Sequence, residues 1–318
     1  MTRLVVVELR RLLARRLILF AAIGVLVIIG ITAFSANDQV YQLTPARVAQ
    51  VKAEQLQPCL DSQAQARQTD PTADFHCTEI GQFGNPGAVS STFATVATTS
   101  VSSMAYFLIF VAFLVGVSFV AAEFSSGAIS TWLTYEPRRG RVYASKLVAV
   151  GTGVLLVAVV AVALVVVAVY LIARSNQIVG TTSGDPGRGL LGTAVRTIAV
   201  VGIAGVLGAV VAALLRHTAA ALGLAIGYLV VIEGLVLDAL RTGVPESRPW
   251  LIFYNVQAWL QGGLPNYRAF DQPQVCAPDG SCQLPELIST AHAGIYLLVL
   301  SVVLVAVGGA VFRRRDIN

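Results

Sequence analysis

Six long apolar stretches dominate the chain: Leu17–Phe34, Thr99–Ala122, Leu147–Ala173, Leu190–Leu215, Ala219–Leu240 and Ala291–Phe312. Each is close to or above the roughly 20 residues that a helix needs to cross a bilayer core. None shows the period-two alternation of a barrel strand. Several are rich in Val, a weak helix former in water, but lipid offers the backbone no hydrogen-bond partner and so enforces helix. Composition agrees: only 12% of the 318 residues are charged, about half the roughly 25% of a soluble domain. The fold class that follows is all-α, a polytopic membrane protein with six transmembrane helices.

Lys and Arg set the direction of the spans. With the N-terminus inside, the inner pieces are residues 1–16, Glu123–Lys146, the Arg216–His217 turn and the C-terminal tail; they hold 13 Lys/Arg and 4 Asp/Glu. The longer outer pieces, counted together with the spans' outer ends, hold 9 and 13, so the two sides carry +9 and −4, consistent with the net charge of +5. The expected topology is N-in and C-in, with extracellular segments at 36–98 and 241–290. The first span lacks a small-residue cleavage site and reads as retained. All four cysteines fall outside, Cys59 and Cys77 in the first outer segment and Cys276 and Cys282 in the last, where disulfides persist. The local pairing is Cys59–Cys77 and Cys276–Cys282, one of three connectivities that four cysteines allow. A thiol metal site is the rival, but the CxxC spacing is missing.

Residues 1–16 form an interfacial amphipathic helix, with residues 17–318 making up the transmembrane domain. At 100° per residue, Val5, Val6, Leu9, Leu12 and Leu13 share a face, and Arg3, Glu8, Arg10, Arg11 and Arg15 lie on the other. Such a helix is expected in the membrane interface with its arginines on anionic headgroups. Arg16 falls near the apolar face, where the chain turns into the first span. Between the second and third spans runs AAEFSSGAISTWLTYEPRRGRVYASK, from Ala121 to Lys146. Glu123 at the membrane boundary precedes a helix-compatible stretch, Phe124–Tyr135; Pro137 ends it, and Arg138, Arg139, Arg141 and Lys146 follow. A short helix bounded by charge and a breaker suits a partner's groove; a tethering loop obeying the positive-inside rule is the alternative.

In this stretch the chain resembles the permeases of ABC-2-type ABC transporters. There an acid and a glycine precede a short cytoplasmic helix, then a proline, a basic residue and a lysine, matched here by Glu123, Gly127, Pro137, Arg138, Arg141 and Lys146. The basic N-terminal helix resembles the family's connecting helix, and the likeness extends over the whole chain, including a large last outer segment. The resemblance implies a type V exporter-like fold in which Phe124–Tyr135, with Trp132 and Tyr135 on it, is the coupling helix docking on a cytoplasmic ATPase. It implies a homodimer with two ATPase chains, ATP and Mg2+ bound by those chains, and a bacterial plasma-membrane location. The chain is not expected to be an enzyme: no GxxxxGK[ST] occurs, and the Gly-rich stretch Gly81–Gly87 lacks the lysine that a phosphate cradle needs. Basic residues lie beside the apolar blocks without base-stacking aromatics, so nucleic acid is not an expected partner and membrane lipid is.

Several further features are expectations of the sequence. Gly202, Gly205 and Gly208 give the fourth span a small-residue stripe, suited to close packing or reflecting the Gly enrichment of membrane helices. Pro45–Gln57 is a short outer helix starting after Thr44. The stretch from Arg248 to Pro265 is too short to cross, and Trp250, Tyr254 and Trp259 suit a re-entrant or interfacial helix. Glu233 in the fifth span and Arg196 in the fourth lie at depths only about 2 Å apart at ~1.5 Å per residue, which suggests an intramembrane ion pair. A proton site at Glu233 is the competing role, and it defines the alternative function, a proton-coupled secondary transporter. A non-transporting scaffold is the third class. The primary expectation is the permease subunit of an ATP-driven exporter of amphipathic, lipid-like or drug-like molecules.

Overall fold

The computed structural model describes residues 2–39, 45–68, 93–135, 137–176, 186–236, 249–265, 275–276, 282–283 and 286–314. The expectations placed on Cys77, on the stretch Gly81–Gly87 and on the end of the fifth span lie outside the described residues.

The apolar stretches fold as long helices. They are α2 (Arg16–Gln39), α4 (Phe93–Ser125), α6 (Arg139–Ser175), α7 (Pro186–Leu215) and α10 (Thr290–Arg314). Among the described residues, five helices are therefore long and apolar enough to cross a membrane. The fifth expected span, Ala219–Leu240, differs: α8 (Thr218–Gly227) passes into a π-wound segment, Tyr228–Val236. Such wide turns are uncommon and tend to mark sites where a side chain is re-aimed; this one carries Glu233. Shorter helices complete the set: α1 (Thr2–Leu13), α3 (Pro45–Ala66), α5 (Ala128–Tyr135) and α9 (Ile252–Gln261). The outer helix α3 runs two turns beyond the expected Gln57, passing through Pro58.

The all-α expectation holds for the spans, but the last outer segment also contains strand. Leu264–Pro265 (β1) pairs antiparallel with Glu286–Ile288 (β4), and Val275–Cys276 (β2) pairs with Cys282–Gln283 (β3). In the second ladder Cys276 and Cys282 are direct partners. Cys59, on α3, is disulfide-bonded.

Burial separates centre from periphery. In the apolar windows of α4 and α7, 56% of residues are buried, against 11% in α2 and 17% in α10. The α4–α7 contact is the core of the chain and is made by glycine. A Cβ on Gly116 would overlap the Gly205 carbonyl, and one on Gly208 would overlap the Phe113 carbonyl. Gly202 and Gly205 also receive Leu155 and Val154 of α6. The stripe on the fourth span is thus a packing surface: in lipid, apolar burial alone does not drive helices together, and close backbone approach supplies the dispersion contact instead.

Candidate functional site: a buried ion cluster at the base of α1, α4, α5 and α6

Glu123 is on the last turn of α4, Lys146 on the third turn of α6, and Glu8 in the middle of α1. All three are buried, at 1%, 3% and 1% exposure. The Lys146 ammonium donates to both carboxylates, at 2.9 Å to Glu8 Oε1 and in a short contact to Glu123 Oε2. Two half-exposed arginines of the α1 end surround them. Arg11 Nη1 lies 3.8 Å from Glu8 and 3.6 Å from Glu123, and Arg15 Nη2 lies 3.9 Å from Glu123. Arg15 also donates to the Ser118 carbonyl at 3.0 Å and sits 4.8 Å over the Phe119 ring, whose centre lies 5.7 Å from the Lys146 ammonium. Burial pushes the Arg15 guanidinium below its ordinary pKa, and the Glu123 charge opposes that shift.

The cluster corrects the expected placement of α1. Glu8, expected on the headgroup-facing side, is turned inward with Leu12, while Val6 and Leu13 of the apolar stripe are exposed. The inward face of α1 therefore straddles the boundary between its apolar and polar sides. Two contacts fix that rotation: Glu8 reaches Lys146, and Leu9 and Leu12 fill the notch left by Gly153, two turns farther along α6. A buried ammonium needs anionic partners, and the only acid before Asp38 is Glu8.

The segment expected to dock a partner is attached directly to this cluster. After α4 ends at Ser125, the turn at Ser126–Gly127 reverses the chain with Gly127 at φ 68°, a left-handed conformation that a Cβ disfavours. The expected helix Phe124–Tyr135 is thereby divided: Phe124 belongs to α4 and α5 begins at Ala128. Ile129 anchors α5 in the core, and Trp132 lies beneath Arg11, 5.5 Å from ring centre to guanidinium. Tyr135, at 83% exposure, and the exposed Thr131, Thr134, Pro137 and Arg138 face outward. Phe124 packs edge-on against Phe312 of α10 and lies under Arg216 at the α7–α8 turn. Arg138 is the N-cap of α6, and Arg141 is exposed on its first turn. Of the nine residues expected to couple, Glu123, Lys146 and Trp132 are therefore drawn together. Gly127 makes the turn, and Tyr135, Pro137, Arg138 and Arg141 form the outer rim. The sequence reading missed Glu8, Arg11 and Arg15 as members of the cluster, and the lone acid within a basic helix was the signal for them.

The structure does not bring Arg196 and Glu233 together. Both Glu233 oxygens accept the backbone N–H of Phe253, at 3.0 and 2.9 Å, in the first turn of α9. Arg196 bonds Gly192 and Thr193 of its own helix and lies against Gly262, the left-handed residue that ends α9. The carboxylate thus meets the positive end of the α9 dipole and the guanidinium the negative end, which favours both placements over a direct pair. The α9 ring residues are also divided. Trp250 is exposed, whereas Trp259 is wedged against Gly294 of α10 and donates to the Arg196 carbonyl at 2.9 Å. Tyr254 is half-buried, edge-on to Phe253.

Comparison with known proteins adds one match. A family model described as ABC-2 family transporter protein matches residues 6–317. No curated protein matches the chain.

Proposed function

The chain belongs to the ABC-2 family of transporter proteins, and from that premise we propose that it is the permease half of an ATP-driven exporter, coupled to its motor through α5. Members of this family are multi-pass transmembrane subunits, distinct from the ATPase, and generally work with an ABC ATPase partner. The observation that carries the coupling role is the ion cluster: buried charge ties α1, α4 and α6 together, and the exposed short helix α5 is seated on it through Trp132 beneath Arg11 and through the buried Ile129 instead of hanging on a loop. Displacement of α5 is transmitted through Trp132–Arg11 and Glu123–Lys146 into α4 and α6, and α4 is half of the central glycine-packed pair.

In this reading the six spans run N-in and C-in, with the α8–π segment as the fifth. Two copies of the chain pair in a bacterial plasma membrane, and two ATPase chains holding ATP and Mg2+ close beneath them. Closure drives α5 and opens the dimer outward for an amphipathic cargo. Disulfides Cys59–Cys77 and Cys276–Cys282 brace the outer segments; the facing register of Cys276 and Cys282 suits the second. A proton-driven mechanism at Glu233 is less well supported, because both oxygens of that carboxylate are committed to the start of α9.

The test is co-reconstitution of the chain with an ABC ATPase that co-purifies with it. Gly127→Val and Tyr135→Ala are expected to leave the permease folded and inserted but to reduce ATP-dependent export at least tenfold. Full transport by the permease alone, driven by a proton gradient, would overturn the assignment.

A further inference from the structure

An apolar groove of about 50 Å3 lies behind α2, between the α1–α2 corner and the faces of α4 and α6. Its walls are side chains without polar atoms, among them Leu13, Ile18, Ala22, Leu108, Ala112 and Val157. The small side chains of Ala21, Ala22, Ala112 and Ala158 leave the space. A volume of that size admits about four water-sized groups, yet a water there would find none of the two to four polar partners it requires. Left empty, the walls forfeit dispersion contacts. Hydrocarbon fits where water does not.

The groove has a charged end. Leu13 and Ile18, which line it, flank the turn that carries Arg15 and Arg16, and Arg15 is tied to Ser118, below the lining residues Ala112 and Val115 of α4. Glu8 and Glu123 are already matched by Lys146, Arg11 and Arg15. Arg10 and Arg16 are exposed at the same corner and, among the described residues, have no carboxylate partner. The corner therefore carries surplus positive charge where the groove meets the cytoplasmic leaflet, and each such residue near that surface attracts anionic lipid.

We propose that this corner is a binding site for one anionic phospholipid of the inner leaflet, its phosphate on Arg10 and Arg16 and one acyl chain in the groove behind α2. The site is separate from α5; it rests on the N-in topology of the reading above, but not on export or on an ATPase partner. Bound there, the lipid fills the gap between the peripheral α2 and the core and fixes the angle at which α1 enters the membrane.

The experiment uses the full chain in vesicles containing a trace of phosphatidylglycerol or phosphatidylcholine, each with a photoactivatable acyl chain. Labelled peptides are read by mass spectrometry. Phosphatidylglycerol is expected to label the Leu108–Val115 stretch at least fivefold more than phosphatidylcholine. Ala22→Phe, or Val157→Phe from the opposite wall, fills the groove and reduces that labelling at least fivefold, whereas Ile23→Phe on the exposed face of α2 leaves it unchanged. Arg10→Gln with Arg16→Gln brings the phosphatidylglycerol signal down to the phosphatidylcholine level. Equal labelling of the wild-type chain by the two lipids would overturn the proposal without recourse to any variant. So would labelling that survives both groove-filling substitutions in folded protein.

Discussion

Replacing Lys146 by Met tests how the base of the molecule is held. The ammonium is 2.9 Å from Glu8, a gross attraction of about 6 kcal/mol at an effective dielectric near 20. Desolvation offsets much of that in the intact cluster. Removing the cation, however, leaves two buried carboxylates, and breaking such a cluster from one side costs about 3–5 kcal/mol. The arginines offset the charge only in part, because they do not replace the hydrogen bonds. Arg11 stays 3.6 Å or more from both acids and Arg15 3.9 Å from Glu123, beyond good hydrogen-bond distance. At about 2–4 °C per kcal/mol for a chain of this order of size, Lys146→Met is expected to lower the unfolding midpoint by roughly 10 °C. Tryptophan fluorescence of the detergent-solubilised protein reads this out. Adding Glu8→Gln and Glu123→Gln removes the stranded charges, and because Arg11 and Arg15 reach solvent, the triple variant is expected to recover most of the loss. A triple variant no more stable than Lys146→Met would refute the argument that uncompensated charge, and not lost packing, is what the lysine prevents.

Three further outcomes follow from the packing. Gly116→Val, which drives a side chain into the Gly205 carbonyl, is expected to abolish recovery of folded protein in a size-exclusion assay. Gly30→Ala, with nothing within 4 Å, is expected to leave recovery unchanged. Glu233→Ala and Arg196→Ala should destabilise by about 1–2 kcal/mol each through α9, and their effects should add to within ~0.5 kcal/mol; strong coupling between them in a double-mutant cycle would restore the direct ion pair. Arg11→Lys keeps the charge but loses the guanidinium contact over Trp132, so α5 should become more sensitive to proteolysis at Tyr135 while the folded core persists.

Where the sequence was informative, the reason was a signal repeated along a helix. Twenty apolar residues in a row specify a span whatever they pack against, and glycines at 202, 205 and 208 mark one face because helix period is fixed. Gly127 and Pro137 likewise bracketed α5 within a few residues. Pairings between distant segments were not legible. Depth along two helices placed Arg196 and Glu233 level with one another, but it carried no information on their separation across the membrane plane, and α9 fits between them. The same is true of Glu8. Helical periodicity put it on the polar side of α1, and only the position of Lys146, 138 residues later, decides that this side faces inward. The π-winding of Tyr228–Val236 has no counterpart in the hydropathy of that stretch, which reads like any other span.

The helix α9 is ten residues long, about 15 Å of rigid rod. One end is fastened to the π-wound segment by Glu233, and the other abuts Arg196 of α7. It acts as a strut between two helices that α8 connects only through the turn at Arg216–His217. With that strut seated, drawing α7 and the π segment apart at this end requires breaking either the Phe253–Glu233 hydrogen bonds or the Gly262–Arg196 contact. In the export cycle proposed above, motion entering from α5 would therefore turn this pair as a single lever, with the far end of the lever set by α9.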